Sequence, residues 1–242
     1  MEFSNQNSAP SGQLDRTLVI MAKAARPGMV KTRLAQRIPL ESVTELYRCL
    51  LQDTMALARS LHNVDVAIMC PASDVEDLAG LVGVAMRVVP QIGEGLAAGL
   101  TSVFAHFTAG RQRVVAFNSD SPHLPARVLE KAFEDLATCD VVVGPTHDGG
   151  YYLVGAKTSH PGLFSGDGMG TSNALEALLE RVRSLGLSLR LADPFYDIDV
   201  ASDLIRLDAE LRLSPPKAPR TAAWLAQWRP LVAQLRPDIG EL

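Results

Sequence analysis

The stretch Thr17–Arg37, TLVIMAKAARPGMVKTRLAQR, constrains this chain more than any other. Its first residues, Thr17 to Ala22, are apolar or β-branched, which predicts a short buried strand. A loop containing Pro27 and Gly28 follows at once, so the strand ends there. The loop carries Lys23, Arg26, Lys31, Arg33 and Arg37 and no acid, in a chain whose formal net charge is -4. A cationic segment at the end of a buried strand, made pliable by Gly28 and stiff by Pro27, suits a polyphosphate. The plain alternative is a solvated basic face. On the first reading Lys31 and Arg33 are expected to face solvent before a ligand arrives.

The segments that follow alternate between the two regular structures. Glu41–Leu61 has apolar residues at helical spacing and no internal Gly or Pro. Val64–Cys70 reads as a strand, Ser73–Leu81 as a short helix opening at a capping serine, and Val84–Val89 as a second short strand. This β-α-β-α-β order implies a parallel sheet with helices on its faces. In QIGEGLAAGLTSVFAHF, Gly93, Gly95 and Gly99 allow close backbone approach before or within a helix running to about Phe107. The strand Arg113–Phe117 then delivers Asn118, Ser119 and Asp120 at its C-terminal end, where open α/β sheets bind their ligands.

In the second half, Leu124–Ala137 reads as a helix, Asp140–Gly144 as a strand, and HDGGYYLVGA as a turn with one more strand. A helix from about Ser172 to Leu185, a strand around Leu187–Leu191 and a helix near Val200 follow. Pro215, Pro216 and Pro219 break the chain before a final helix, Thr221–Leu235. No repeat and no dividing linker is visible. Residues 17–242 therefore read as one α/β domain and the polar residues 1–16 as a disordered tail.

Composition excludes several classes of function. With 47% hydrophobic residues among 242, a sizeable core is available. A pI near 5.7 gives no global basic field, so neither nucleic acid nor an anionic membrane is expected as partner. No run approaches the roughly 18 apolar residues of a membrane span. Cys49, Cys70 and Cys139 are odd in number, far apart and match no metal spacing, which favours a reducing cytoplasm.

A few residues could carry chemistry. Asp120, in NSDSPHL, can hold a divalent cation that bridges nucleotide phosphates, or can cap the next helix in rivalry with Ser119 and Ser121. Asp197 and Asp199, in FYDIDVASDL, lie between a strand and a helix, and either could complete a site begun by Asp120, with an N-cap as a second role for Asp199 that can coexist with the first. Asp148 sits in an Asp-Gly pair that favours a hairpin turn. Tyr151 and Tyr152 read as packing residues. His123 and His147 have no carboxylate partner visible in the sequence that would make either a general base. No Ser-His-Asp order, zinc spacing or Walker loop is present.

Taken together, the segments resemble a known group. AKAARPGMVKTRLA is similar to the signature AKxPxPGxVKTRL of the DUF2064 family of glycosyltransferase-like proteins, within the GT-A superfamily of nucleotide-diphospho-sugar transferases. NSDSPHL, VVVGPTHDGGYYLVGAK, TSNALE, FYDIDVASDL and PRTAAWL follow in the family's order. The basic loop is also similar to that of 2-phospho-lactate guanylyltransferases. The resemblance implies a GT-A, Rossmann-like three-layer α/β/α domain with a mostly parallel mixed sheet. It implies a nucleoside triphosphate or nucleotide sugar, a small-molecule acceptor, and Mg²⁺ or Mn²⁺ held by Asp120 and Asp199. By the same comparison Lys23, Lys31 and Asp120 are catalytic. Ala22, Lys23, Arg26, Gly28, Lys31, Arg33, Gly93, Gly95, Asn118 and Ser119 surround the nucleotide, and Asp148, Gly149, Gly150, Thr171 and Ser172 the acceptor.

Two departures stand out. The chain reads GEGLAAG where the family usually has GDLGxR, and Met169 and Gly170 where a tryptophan often precedes the Thr-Ser pair. The expected reaction is nucleotidyl transfer to a phosphorylated or sugar-like acceptor, because Asn118 replaces the first acid of the Asp-x-Asp motif common in glycosyltransferases. Glycosyl transfer from a nucleotide sugar is the second reading, and a non-catalytic nucleotide-binding protein the third. A homodimer is left open.

Overall fold

The computed structural model describes residues 14–108, 113–165, 173–213 and 217–235. Most of the expected tail, Thr171–Ser172 and the Met169–Gly170 pair lie outside the described residues. A seven-stranded sheet forms the centre, in the order β3-β2-β1-β4-β6-β5-β7. Its strands are β1 (Arg16–Met21), β2 (Asp65–Cys70), β3 (Arg87–Pro90), β4 (Arg113–Asn118), β5 (Val141–Pro145), β6 (Tyr151–Ala156) and β7 (Leu189–Leu191). Strands β1 to β4 pair in parallel, as does β7 with β5, while β6 runs antiparallel to both its neighbours. The reversal at β6 follows from the connection: the turn after Pro145 is too short for a crossover and can only return the chain as a hairpin.

Helices cover both faces. Helices α1 (Leu40–Arg59), α2 (Val75–Val82) and α4 (Ala126–Asp135) bury Leu51, Leu78 and Phe133 with Leu18, Ile20 and Phe117 on one side. On the other, α3 (Gly95–Phe107) and α5 (Ala174–Ser184) bury Phe104 and Leu178 with Val19, Ala116 and Val154. Successive β1 residues thus serve opposite cores, the period-two alternation of a strand buried on both faces. The architecture is the expected three-layer α/β/α arrangement around a mixed sheet.

A third core lies outside α1. Leu46 and Leu50 pack there with Leu204 and Leu207 of α6 (Ala201–Leu213) and Trp224 and Leu225 of α7 (Pro219–Val232). Fully buried Asp53 of α1 accepts from the backbone N–H groups of Arg220 and Thr221 and from the Thr221 hydroxyl, at 3.3, 2.8 and 2.9 Å. It thereby satisfies donors that the start of α7 leaves open.

Some local expectations are corrected. Ser73 caps no helix; its hydroxyl donates to Asp74 Oδ1 at 2.9 Å. Gly83–Ala85 is a 3₁₀ turn with Val84 fully exposed, so the strand is confined to Arg87–Pro90. Pro219 begins α7 instead of preceding it, because the first helical position needs no N–H donor. Among the described residues, no helix is long and apolar enough to cross a membrane.

Candidate active site

A cleft of about 890 Å³ opens at the C-terminal ends of β1, β2, β3 and β4. Its wall is the basic loop on one side and the segment Gln91–Leu96 on the other, with Ser119, Asp120 and Asp199 in its lining. The loop is anchored at three points. The Ala22 N–H donates to the Met69 carbonyl at 3.1 Å, the Lys23 N–H to the Tyr47 hydroxyl at 3.0 Å, and the Ala24 N–H to Asp74 Oδ2 at 2.9 Å. Tyr47 also shares a hydrogen bond of 3.0 Å with the Ser119 hydroxyl, tying the loop after β1 to the loop after β4. Tyr47, Asp74 and Gln91 were not singled out from sequence. Tyr47 lies within an ordinary apolar helical pattern, which gives no signal of a hydroxyl turned toward a loop.

Asp120 and Asp199 converge. The Lys31 ammonium pairs with Asp120 Oδ2 and lies 3.4 Å from Asp199 Oδ1, while Arg33 Nη1 lies 3.1 Å from Asp199 Oδ2. Asp120 does not have the capping role weighed for it. Helix α4 starts behind Pro125 with no side-chain cap, and Asp203 accepts from the backbone N–H groups of Asp199 and Val200 at 2.9 and 2.8 Å. The second oxygen of Asp120, Oδ1, is buried and lacks a hydrogen-bond partner. Among the described residues, no group of three His, Cys, Asp or Glu side chains is arranged to hold a metal.

The expectation that Lys31 faces solvent is overturned. Its side chain is 5% exposed, against 53% for Arg33. Its backbone adopts φ 48°, a left-handed conformation that a residue with a Cβ takes at a cost of about 1 kcal/mol. Burial disfavours the ammonium, but the surrounding carboxylates of Asp120, Asp199 and Asp197 outweigh it and raise the Lys31 pKa. Asp197 itself is pushed up to about 7, by burial first and then by the charge of Asp120, with Lys31 pulling the other way.

The other expected residues are distributed unevenly. Lys23 is exposed in the cleft, and its ammonium makes no hydrogen bond or ion pair with a described residue. Arg26 lines the cleft but directs its guanidinium to Asp77 and Asp74, each at 2.8 Å, and to the Ser73 carbonyl at 2.8 Å. Ala22, Gly93 and Gly95 belong to the lining, whereas Gly28 and Asn118 do not. The Asn118 amide turns instead to the Ser121 hydroxyl at 3.0 Å. Asp148 closes the β5–β6 turn, accepting from the Thr146 hydroxyl at 2.5 Å and the Gly150 N–H at 3.2 Å. Asp148, Gly149 and Gly150 are outside the cleft lining, although Asp148 is near enough to act on the charge of Asp197. His123 is buried between the rings of Phe195 and Tyr196, with centroids 4.8 and 4.4 Å away, and burial lowers its pKa to about 3.

Residues 54–171 match the family DUF2064, described as an uncharacterized protein conserved in bacteria. No curated protein matches the chain at a significant level. A crystal structure from Desulfovibrio desulfuricans G20, provisionally assigned as a nucleotide-diphospho-sugar transferase, is 28% identical, with a TM-score of 0.86 over 93% of this chain and 100% of that one. A nucleotidyl transferase from Methanothermobacter thermautotroptrophicus shares the fold at 20% identity and a TM-score of 0.53, over 82% of this chain and 99% of that one. So does a 4-diphosphocytidyl-2C-methyl-D-erythritol synthase from Anaerococcus prevotii DSM 20548, at 12% and 0.53, over 82% and 97%. The family match takes in Asp120 and Asp148 but not the basic loop or Asp199. The chain is thus similar to the DUF2064 family over residues 54–171, and its fold is that of the nucleotide-diphospho-sugar transferases and nucleotidyltransferases.

Proposed function

We propose that the protein is a divalent-cation-dependent nucleotidyltransferase, moving a nucleotidyl group from a nucleoside triphosphate to a small phosphorylated or sugar-like acceptor. The observation that carries this reading is the convergence of Asp120 and Asp199 on one buried ammonium in the lining of the cleft. Paired carboxylates with room for substrate oxygens are a common way to hold Mg²⁺, which keeps few protein ligands. The residues fit such an ion: Asp120 Oδ1 is a buried acceptor without a donor, at the strand end where ligands of open sheets bind. When bound, Mg²⁺ or Mn²⁺ would neutralise charge on the phosphoryl group under attack.

The chain's own residues supply the rest. Lys23, Lys31 and Arg33 hold the phosphates, and Gly93 and Gly95, both at positive φ, let backbone approach the nucleoside. The Asp148–Gly150 turn borders the acceptor. Such a reaction relies on positioning and charge, so no imidazole base is required. His123 is unsuited to that role, since it is neutral and enclosed by aromatic rings.

Glycosyl transfer from a nucleotide sugar is the second reading, favoured by the likeness to the Desulfovibrio protein. Thermal unfolding with each nucleoside triphosphate or nucleotide sugar, with and without Mg²⁺, tests both. A ligand at 100 times its Kd adds about 2.7 kcal/mol of stability. Nucleotidyl transfer then predicts release of pyrophosphate, and glycosyl transfer release of a nucleotide. Stabilisation by no nucleotide would overturn both.

A further inference from the structure

Lys31 is the most enclosed cation of the cleft, and its backbone is held in a conformation that disfavours a side chain. Two contacts keep it there. Its ammonium lies between Asp120 Oδ2 and Asp199 Oδ1, and its carbonyl accepts the Ala35 N–H at 3.0 Å, opening the turn Leu34–Gln36. The position it occupies is therefore specified from both the side chain and the main chain.

A divalent cation on the free Asp120 Oδ1 and on Asp199 would take an Asp199 oxygen that now faces Lys31 or Arg33, and at roughly 2.1 Å from each carboxylate for Mg²⁺ it would lie against the ammonium. An Asp199 oxygen that takes the metal cannot also keep the ammonium beside it, because the two like charges would then stand within a few ångströms of each other. Resting on the proposed metal-dependent reading of the site, we infer that Lys31 and the divalent cation are mutually exclusive partners of the Asp120–Asp199 pair. The ammonium leaves for a phosphate oxygen when a nucleotide brings the cation in.

This exchange makes the two ligands interdependent. A cation arriving alone must expel a buried ammonium that then has no anion, so it binds weakly. A cation arriving with a triphosphate supplies the anion, so both bind well, and by linkage each raises the affinity for the other. Arg33, already on Asp199 and half exposed, can stay on that carboxylate or follow Lys31 without crossing the protein interior. Gly28, exposed, at φ 76° and with open space around its Cα, lies three residues before Lys31 and can absorb the movement.

The test is Mn²⁺ binding to the full chain without nucleotide, read by electron paramagnetic resonance. Lys31→Met removes the charge at similar length, and Lys31→Gly removes it while easing the positive φ, so a folding defect in one leaves the other informative. Both should bind Mn²⁺ on the order of tenfold more tightly than the wild type, as expected when an opposing charge leaves an ion site. Lys31→Arg should bind as weakly as the wild type. Equal affinity in the wild type and both neutral variants, whether weak or tight, overturns the exchange. Adding Asp120→Asn to Lys31→Met separates the two ideas: if Mn²⁺ binding is unchanged by it, the ion is not at this pair and the metal-dependent reading itself fails.

Discussion

The backbone N–H of Ile198 donates to the backbone carbonyl of Asp120 at 3.2 Å. One position along, the Ser121 hydroxyl donates to the Tyr196 carbonyl at 3.2 Å. These two bonds stitch the exit of β4 to the segment before α6 and set Asp197 and Asp199, the neighbours of Ile198, beside Asp120. The convergence of carboxylates is thus held by one main-chain bond and by the Ser121 hydroxyl, and does not depend on the carboxylates themselves finding a shared partner.

That arrangement predicts unequal costs for removing them. If two bare carboxylates merely repelled each other, losing either would be nearly neutral for folding, but both are paired with the enclosed Lys31. Asp120→Asn leaves that ammonium short of its nearest anion and should cost about 3 kcal/mol, the range for breaking a buried pair. Asp199 is 38% exposed, so Asp199→Asn should cost less than about 1 kcal/mol after solvent screening. Urea unfolding of the two variants checks this. Equal losses would mean that Lys31 is not the shared partner.

The sheet was legible because its signal is local: alternating or continuous apolar runs ended by Gly, Pro or a charged loop. The pairing of Asp120 with Asp199 was legible through the family resemblance, because several strands of this chain are followed closely by an Asp and composition does not choose among them. What was not legible in the residues themselves was pairing at long sequence separation. Lys31 in an acid-free loop is expected to face solvent, yet the loop's acids come from elsewhere: Asp74 and Asp77 reach Arg26, and Asp120 and Asp199 reach Lys31. Likewise the Pro-Arg-Thr before Trp224 resembled a family motif with no evident purpose, until Asp53 of α1 was found accepting from its backbone. Only the fold brings such partners together.

The same contrast sets the order of the loop's cations in ligand binding. Lys23 is exposed to the cleft and uncommitted, whereas Arg26 spends its guanidinium on Asp74, Asp77 and the Ser73 carbonyl. Lys23→Ala should therefore weaken nucleotide binding by roughly 1.5 to 3 kcal/mol, the loss of a charge-assisted phosphate contact. Arg26→Ala should lower the melting temperature with a smaller effect on affinity. Calorimetric titration of both variants with the stabilising nucleotide would reverse this ranking if Arg26 abandons its acids for phosphate.

Gly95 opens α3 at φ 80°, and a side chain built there meets no atom within 4 Å because it points into open space. Gly95→Ala and Gly95→Val both carry the backbone strain, on the order of 1 kcal/mol or more. Only valine extends far into the cleft that Gly95 lines. The two variants should melt similarly, with valine alone losing nucleotide affinity. Equal affinities would assign the segment to helix packing and not to the ligand.

The last prediction concerns acid sensitivity and His123. Burial lowers its pKa to about 3, helped by the positive charges of Arg206 and Lys217, so the folded protein keeps the ring neutral well below its unfolded value near 6.5. The unfolded chain then binds a proton that the folded chain refuses, and stability falls as pH drops from about 6.5 toward 3. At pH 5 the deficit from this one ring is about 2 kcal/mol relative to pH 7. His123→Phe can keep the contacts with Phe195 and Tyr196 and removes two buried nitrogens that have no hydrogen-bond partner. Its loss of stability between pH 7 and pH 5, followed by urea unfolding, should be smaller than that of the wild type by about that 2 kcal/mol. An identical loss in both proteins would mean that the ring is protonated in the folded state, and that acid sensitivity originates in the carboxylates.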